Sequence, residues 1–540
     1  MLGTARNYLY TLPHLRPWQV VGRLVAPIQR RLTRIPDPPA QLQPQWSPKT
    51  SFIQHDPWNR ATDLKAGRFT FLNTTATLGW LPDWRAEGQS LLWRFNLHYF
   101  QYLSVLDQHD QQALCRHWMA TFPDPHAVAW HPYTTSLRIR HWCASGLTQP
   151  DILQSLYRQA AFLYRNVETY VYGNHLLENA RALVIAGTYL AGQGEADQWL
   201  RRGLTILRDE TPEQILADGL HFERSPMYHA LMLEAYLDVL NVLPRAHPDT
   251  GYLHDTVCRM GDALATMCWP DGQLFQFNDA TQEIAAPSSE LFAYLEQLTG
   301  YKARAHDALP AAGYYGYRGA DTTLMVDAGP VGPSYLMAHA HADIFSYVWS
   351  VHGVPFVVDP GVYVYEAGPM RAYGRSTKAH STLTVDNMDQ VECWSSFRVA
   401  RRAAPHAVEH RSTPQGCTVQ GTFSGYAQRL GDGIKHTRKL SMHTKDRVLH
   451  VMDVVDGSGH HQVASRVHLH PEVTVSREPD GFRLTRKGVA VYLSTGEGTM
   501  RTEKGWYSPE FGVRIASTVL VIEATKRLPV TLSYQFGFDG

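Results

Sequence analysis

From residue 151 to about residue 300, apolar side chains recur every three or four positions. In "ILQSLYRQAAFLYRNVETYV" they fall at Leu153, Leu156, Tyr157, Ala160, Leu163, Tyr164 and Val167; in "HLLENARALVIAGTYLAG" at Leu176, Leu177, Ala180, Leu183, Val184 and Leu190. "SPMYHALMLEAYLDVL" and "DTVCRMGDALATMC" keep the same spacing. Each stretch therefore predicts a helix with one apolar stripe. Ser225-Pro226 reads as an N-cap followed by proline in the first turn. Upstream, "LLWRFNLHYFQYLSVL" and "SLRIRHWCASGL" read as less regular helices.

After about Tyr314 the period drops to two. "TTLMVDAG", "FSYVWSVHG", "VPFVVDPG", "STLTVDN", "CTVQGTFSG", "RVLHVMDVVDG" and "VRIASTVLVIEAT" are short, alternating and rich in Val, Thr and aromatic residues. Gly, Pro, Asn or Asp closes most of them, and "REPDGF" is a hairpin turn. Many short strands at this spacing imply an antiparallel sandwich and not βαβ units. The pattern thus divides the chain into a basic leader and linker (1–50), a helical domain (51–310) and an antiparallel β-sandwich domain (311–540).

Composition narrows the functional classes. Lys+Arg and Asp+Glu both total 50, so net charge is zero and a nucleic-acid partner has no electrostatic support. The six cysteines form no CxxC pair, which argues against a thiolate zinc site and favours a reducing compartment. No apolar run is long enough to span a bilayer. The leader has no acid before Asp37 but carries Arg6, Arg16, Arg23, Arg30 and Arg31. Its best apolar piece, "VVGRLVAPI", is interrupted by Arg23 and Pro27 and makes a poor signal peptide. The expected compartment is the cytoplasm, with the periplasm as the alternative. The leader itself is expected to pack on the domain, with a membrane-surface helix as the alternative.

Several polar clusters call for chemistry. "AHAHADIFSYVW" puts His339, His341 and Asp343 at alternate positions, which share one face if the segment is extended. "VVDPG" supplies Asp359 and "KAHSTLTVD" supplies His380. His341, Asp359 and His380 are side chains that Zn²⁺ accepts, and Asp343 is an equally plausible carboxylate. In "YGNHLLENA", Asn174 and Glu178 can be explained locally as an N-cap and its capping-box partner, but His175 cannot. "HFERSPMYHALM" gathers His221, Glu223, Tyr228 and His229 around another helix start.

Together, "WRFNLHYF", "SLRIRHW", "GNHLLENARALVIAG", "HFERSPMYH", "FNDA", "HAHADIFSYVWSVHGVPFVVDPG" and "HSTLTVDN" resemble the heparinase II/III family of polysaccharide lyases, in the family's order. The resemblance implies an incomplete α/α toroid followed by an antiparallel β-sandwich. It implies that His339 and Tyr228 are catalytic, and that Asn174 and His175 grip a substrate carboxylate or assist proton transfer, with Glu178 beside them. It also implies that His341, Asp359 and His380 hold one structural Zn²⁺. Arg138 and His98, on helices that would line the toroid, are expected substrate contacts.

Such an enzyme cleaves beside a uronic acid by β-elimination, so the expected partner is a uronate-containing polysaccharide or oligosaccharide. Relatives found alongside bacterial exopolysaccharide synthesis widen the substrate beyond heparin-like chains. Zero net charge offers no global attraction for a heavily sulfated polymer. Two other readings stand beside this one: a metal-dependent glycan hydrolase, and a non-catalytic glycan-binding or assembly protein on the same scaffold.

Overall fold

The computed structural model describes residues 2–431 and 433–539. Two helices open the chain, α1 (Leu2–Thr11) and α2 (Pro17–Leu32). An extended strap follows and crosses the helical domain, where Gln45 N donates to Tyr189 O and Lys49 N to Asn241 O. The leader is therefore built into the fold. A short hairpin, Arg68–Phe71 with Thr74–Thr77, precedes the main helices and was not foreseen in the sequence.

The helix Gly173–Tyr189 is the hub of the helical domain. It is flanked by Pro132–Ala144, Ala196–Gln214 and Pro226–Val242. Almost every residue of it is buried, as expected of a helix apolar on several faces. Close approach is built in: a Cβ at Gly187 would lie 2.6 Å from Leu200 N, and one at Gly203 2.7 Å from Ala180 O.

The change of period falls between the helix Ser288–Thr299 and the first strand of the β domain, Ala308–Leu309. A five-stranded meander runs from there to Val354–Val357, followed by an eight-stranded and a four-stranded sheet. All the strand pairings within these sheets are antiparallel. Their inner faces share one core, in which Leu440, Leu532 and Phe536 of the larger sheet meet Leu383, Val463 and Leu520 of the smaller. The "REPDGF" turn is present, with Glu478 paired to Gly481. The architecture is that expected, helices first and an antiparallel sandwich second.

Because the atom facing Gly187 is backbone, Gly187→Val must push the two helices apart. Overpacking of this kind costs about 1–3 kcal/mol. Thermal unfolding should show a clearly lowered Tm; an unchanged Tm would mean that the helices separate freely.

Candidate active site

A cleft of about 910 Å³ opens where the helical domain, the β domain and α1 meet. On its helical side the chain enters the hub helix through Tyr172 and Gly173, with φ of 63° and 59°. A Cβ at Gly173 would lie 2.2 Å from Glu223 Oε1. Glycine is what lets that carboxylate reach the first helical turn. Glu223 Oε1 accepts from Asn174 N at 3.1 Å, and its two oxygens accept from Asn174 Nδ2 at 3.2 and 3.0 Å. A helix start is a natural seat for an anion.

Asn174 is therefore not a cap. Tyr172 is the N-cap residue and its side chain makes no capping bond. Glu178, instead of closing a capping box, sits 2.6 Å from Arg181. Burial pushes Glu178 up to about 7 although Arg181 draws it down. His175 Nδ1 lies 3.1 Å from Glu168 Oε2. Burial favours a neutral Glu168, but His175, His131 and Arg30 outweigh it and bring the carboxyl down to about 2. Glu168 in turn raises His175 above 6.5 against its own burial. The cleft wall thus carries, beside the Asn174 amide, an imidazole whose protonated form Glu168 favours.

Opposite stands Tyr228, on the helix Pro226–Val242. Ser225 caps that helix, accepting from Tyr228 N at 3.3 Å while donating to Asp279 O at 2.6 Å. The cap read from the sequence thereby also ties the helix to the "FNDA" turn. Tyr228 Oη lies 3.0 Å from Tyr365 Oη, and its ring stacks on His339 with centroids 3.8 Å apart. Burial, reinforced by Tyr365, keeps the phenol protonated well above its ordinary range.

His339 lies in a loop, since the strand begins only at Tyr347. The alternation of His339, His341 and Asp343 consequently does not put all three on one sheet face. His339 Nδ1 is 3.0 Å from Asp279 Oδ2, and Nε2 is 3.5 Å from Glu223 Oε2. Asp279 is buried, which alone would raise its pKa, yet bidentate pairing with Arg371 holds it well below the carboxylate range. An ionised Asp279 accepts a proton-bearing Nδ1 and leaves the lone pair of His339 on Nε2. An imidazole and a protonated phenol hydroxyl thus stand side by side, and Glu223 links the imidazole to Asn174.

His341 Nε2 is 2.8 Å from the other Asp279 oxygen. Ligand atoms of His341, Asp343 and His380 lie within 4.8 Å of one another. His380 Nδ1 is 2.9 Å from Asp359 Oδ2, while its Nε2 is 3.1 Å from Gly374 O. Each histidine thus has Nε2 tied to an oxygen acceptor, the arrangement that orients a metal-binding imidazole. His341 Nδ1, both Asp343 oxygens and Asp359 Oδ1 are buried without a hydrogen-bond partner. Burial lowers His341 to about 3, so its imidazole is neutral. Burial also opposes charge on His380, but Asp359 and Asp343 raise it to about 9, and its proton balances the carboxylates. The free His341 Nδ1 and carboxylate oxygens, joined by His380 once it gives up its proton, are a donor set that fits Zn²⁺. The geometry groups Asp343 with His341 and His380, while Asp359 of the expected set reaches the cluster through its bond to His380.

Residues 113–300 match the domain described as Heparinase II/III N-terminus, and residues 302–535 that described as Heparinase II/III-like, C-terminal. The chain belongs to the heparinase II/III family. It is similar to a heparin-sulfate lyase of Pedobacter heparinus, 28% identical over 269 residues that make up 45% of this chain and 40% of the relative. A heparin-sulfate lyase of Bacteroides stercoris is 29% identical over 255 residues, 41% of this chain and 37% of the relative. The matches thus span about two fifths of the length of these curated relatives. Among solved structures, heparinase III superposes with a TM-score of 0.68 at 18% identity, covering 85% of this chain and 80% of that one. A heparan sulfate lyase HepC mutant from Pedobacter heparinus gives 0.63 at 18% identity, covering 97% and 89%. These likenesses are of fold.

Within this heparinase II/III-family cleft, two expected contacts are absent. His98 is buried and accepts from Trp118 Nε1 at 3.2 Å. Arg138, also buried, donates to Gln159 Oε1 and Ala129 O, both at 2.7 Å, and packs on the Trp118 ring. Both are core groups with their bonding satisfied internally, and neither lines the cleft. Arg140, two residues on, does, and so does Arg181. Sequence reasoning gave no role to Glu168, Asp279, Tyr365 or Arg371. The "FNDA" segment was the one local signal for Asp279.

The Glu168–His175 pair sets a pH window. Glu168, depressed to about 2, contributes stability above 4.5 that is lost as pH falls toward 2. His175, raised above 6.5, contributes below 6.5 and loses this as pH rises through its folded value. Both terms are therefore in place from about pH 4.5 to 6.5. In Glu168→Gln, NMR titration should show His175 shifted down by about one unit or more. An unmoved titration would show that Glu168 does not hold that proton.

Proposed function

We propose that this protein is a polysaccharide lyase that cleaves a uronate-containing glycan by β-elimination. The observation that carries the reading is the convergence of Asn174 and His339 on one carboxylate, Glu223, beside the Tyr228 hydroxyl in the interdomain cleft. The site already holds a carboxylate on an amide donor, with an imidazole beside it. A uronate takes the same type of contacts when Asn174 exchanges Glu223 for substrate.

The His175 imidazolium and the Asn174 amide neutralise the uronate carboxylate, which makes the C5 proton acidic and stabilises the enolate-like charge that develops. His339 Nε2, its tautomer set by Asp279, takes the C5 proton. The C4–O bond breaks as the C4=C5 double bond forms, and Tyr228, which keeps its proton in the free protein, delivers it to the departing oxygen. The substrates named for the curated relatives support a glycosaminoglycan-like class. The uncharged balance of the chain favours a lightly sulfated member, and we extend the substrate to bacterial exopolysaccharides built with uronic acids.

We further propose that His341, Asp343, Asp359 and His380 hold one Zn²⁺. When bound, the ion would supply structural cross-linking, since none of the four lines the cleft and water activation there has no route to a glycan. This is the observation that sets a metal-dependent hydrolase behind the lyase. A non-catalytic binder, in turn, has no use for a paired base and acid.

Incubation with native and carboxyl-reduced uronate polymers tests the reading. The native polymer should yield ultraviolet-absorbing unsaturated ends, and Tyr228→Phe should lower that rate by about 10²- to 10⁴-fold. The reduced polymer should resist, because no enolate can form; cleavage of it would overturn the lyase assignment.

The metal is checked separately. Purified protein should contain about one zinc per chain, and Asp343→Asn and His341→Ala should each lose it and melt earlier, because the ion couples to folding. Retention of full zinc by both variants would remove the proposed centre.

A further inference from the structure

Helix α2 is packed inside out. Its buried residues are Gln19, Gly22 and Ala26, a narrow small and polar stripe. A Cβ at Gly22 would stand 2.2 Å from Tyr170 Cβ, and Gln19 donates to Tyr335 O at 3.3 Å. On the opposite face, Trp18, Val21, Leu24, Val25, Ile28 and Leu32 recur at three- and four-residue spacing. All are exposed, Leu24 by 72%, Ile28 by 60% and Leu32 by 74%. A helix that serves only its own domain buries its large apolar stripe and shows water its polar one. Here the reverse holds, and a contiguous exposed apolar face of this kind marks an interaction surface.

Charge identifies what covers it. No acid occurs among the first 36 residues. Arg31, on the border of the apolar stripe, and Arg34 just beyond it are exposed, and neither makes an ion pair among the described residues. A long apolar stripe bordered by unpaired arginines is the sequence of an interfacial helix, whose apolar face enters the acyl boundary while its cations meet phosphates. No helix among the described residues is long and apolar enough to cross a membrane. The contact is therefore with a surface.

We propose that α2 docks this protein onto an anionic lipid membrane through its outward stripe. The cleft would then open close to the bilayer: α1, joined to α2 by a short turn, lines it with Tyr8 and Thr11, and Arg23 of α2 lines it too. On its inner side α2 sends Arg30 to within 3.7 Å of Glu168, the partner of His175. The proposed docking face and the cleft are thus two sides of the same helical segment.

The full-length protein is sedimented with vesicles of phosphatidylglycerol and phosphatidylcholine, and separately with phosphatidylcholine alone. Wild type should pellet with the anionic vesicles and remain largely in solution with the neutral ones. Leu24→Gln/Ile28→Gln alters only exposed side chains and should lower the bound fraction at least about tenfold while leaving the Tm unchanged. Arg31→Gln and Arg34→Gln should each weaken binding roughly fivefold at low salt. The proposal is overturned if wild type stays in solution with anionic vesicles, or if the apolar double variant pellets like wild type. It is equally overturned if the wild type is a dimer in the absence of lipid that the double variant dissociates, since the stripe would then be a contact between copies.

Discussion

The arrangement depends on one buried carboxylate. Asp279 is fully enclosed, where an unpaired charge would be expelled, and Arg371 is what allows it to remain ionised. Its two oxygens are shared between the guanidinium and two imidazoles from different parts of the site, His339 and His341. Its backbone is held as well, since Asp279 N donates to His339 O at 3.2 Å and its carbonyl accepts from Ser225. The "FNDA" turn of the helical domain, the capped helix that carries Tyr228 and the loop leading into the β domain are thus fastened at a single residue. Burying the pair of charges is costly, but removing one partner is costlier still, so the site is defined more sharply than apolar packing alone would define it.

That convergence also explains how far the sequence could be read. Period three-to-four and period two are consequences of local geometry, so the helices, the strands and the boundary near residue 300 were visible without any long-range information. The Ser225 cap was visible for the same reason. His339 and His341 stood out because two imidazoles at alternate positions ahead of an apolar run have no simple packing role. Their division between two surroundings was not visible locally: it requires Asp279, about sixty residues earlier, and Arg371, thirty residues later. Contacts across such separations leave no periodic trace.

Arg138 and His98 show the opposite limit. A polar residue on a helix was taken to face the lumen, yet both point into the core. There a carbonyl, an amide and an indole satisfy them at hydrogen-bond distance. Burial with complete pairing and exposure in a cleft look alike in a sequence, and only the positions of partners separate them. Asn174 shows it in reverse: a local capping explanation was sufficient on paper, but the partner is Glu223 from another loop, admitted by the missing side chain of Gly173.

Sharing Asp279 between two imidazoles makes them thermodynamically linked. Any event that strengthens the hold of His341 on its oxygen withdraws electron density from the bond to His339, and the converse holds to the same degree, because coupling of this kind is reciprocal. The placement of one imidazole is therefore not independent of the other. A substitution that shifts one imidazole on its oxygen also bears on the other, across the boundary between the cleft and the buried cluster.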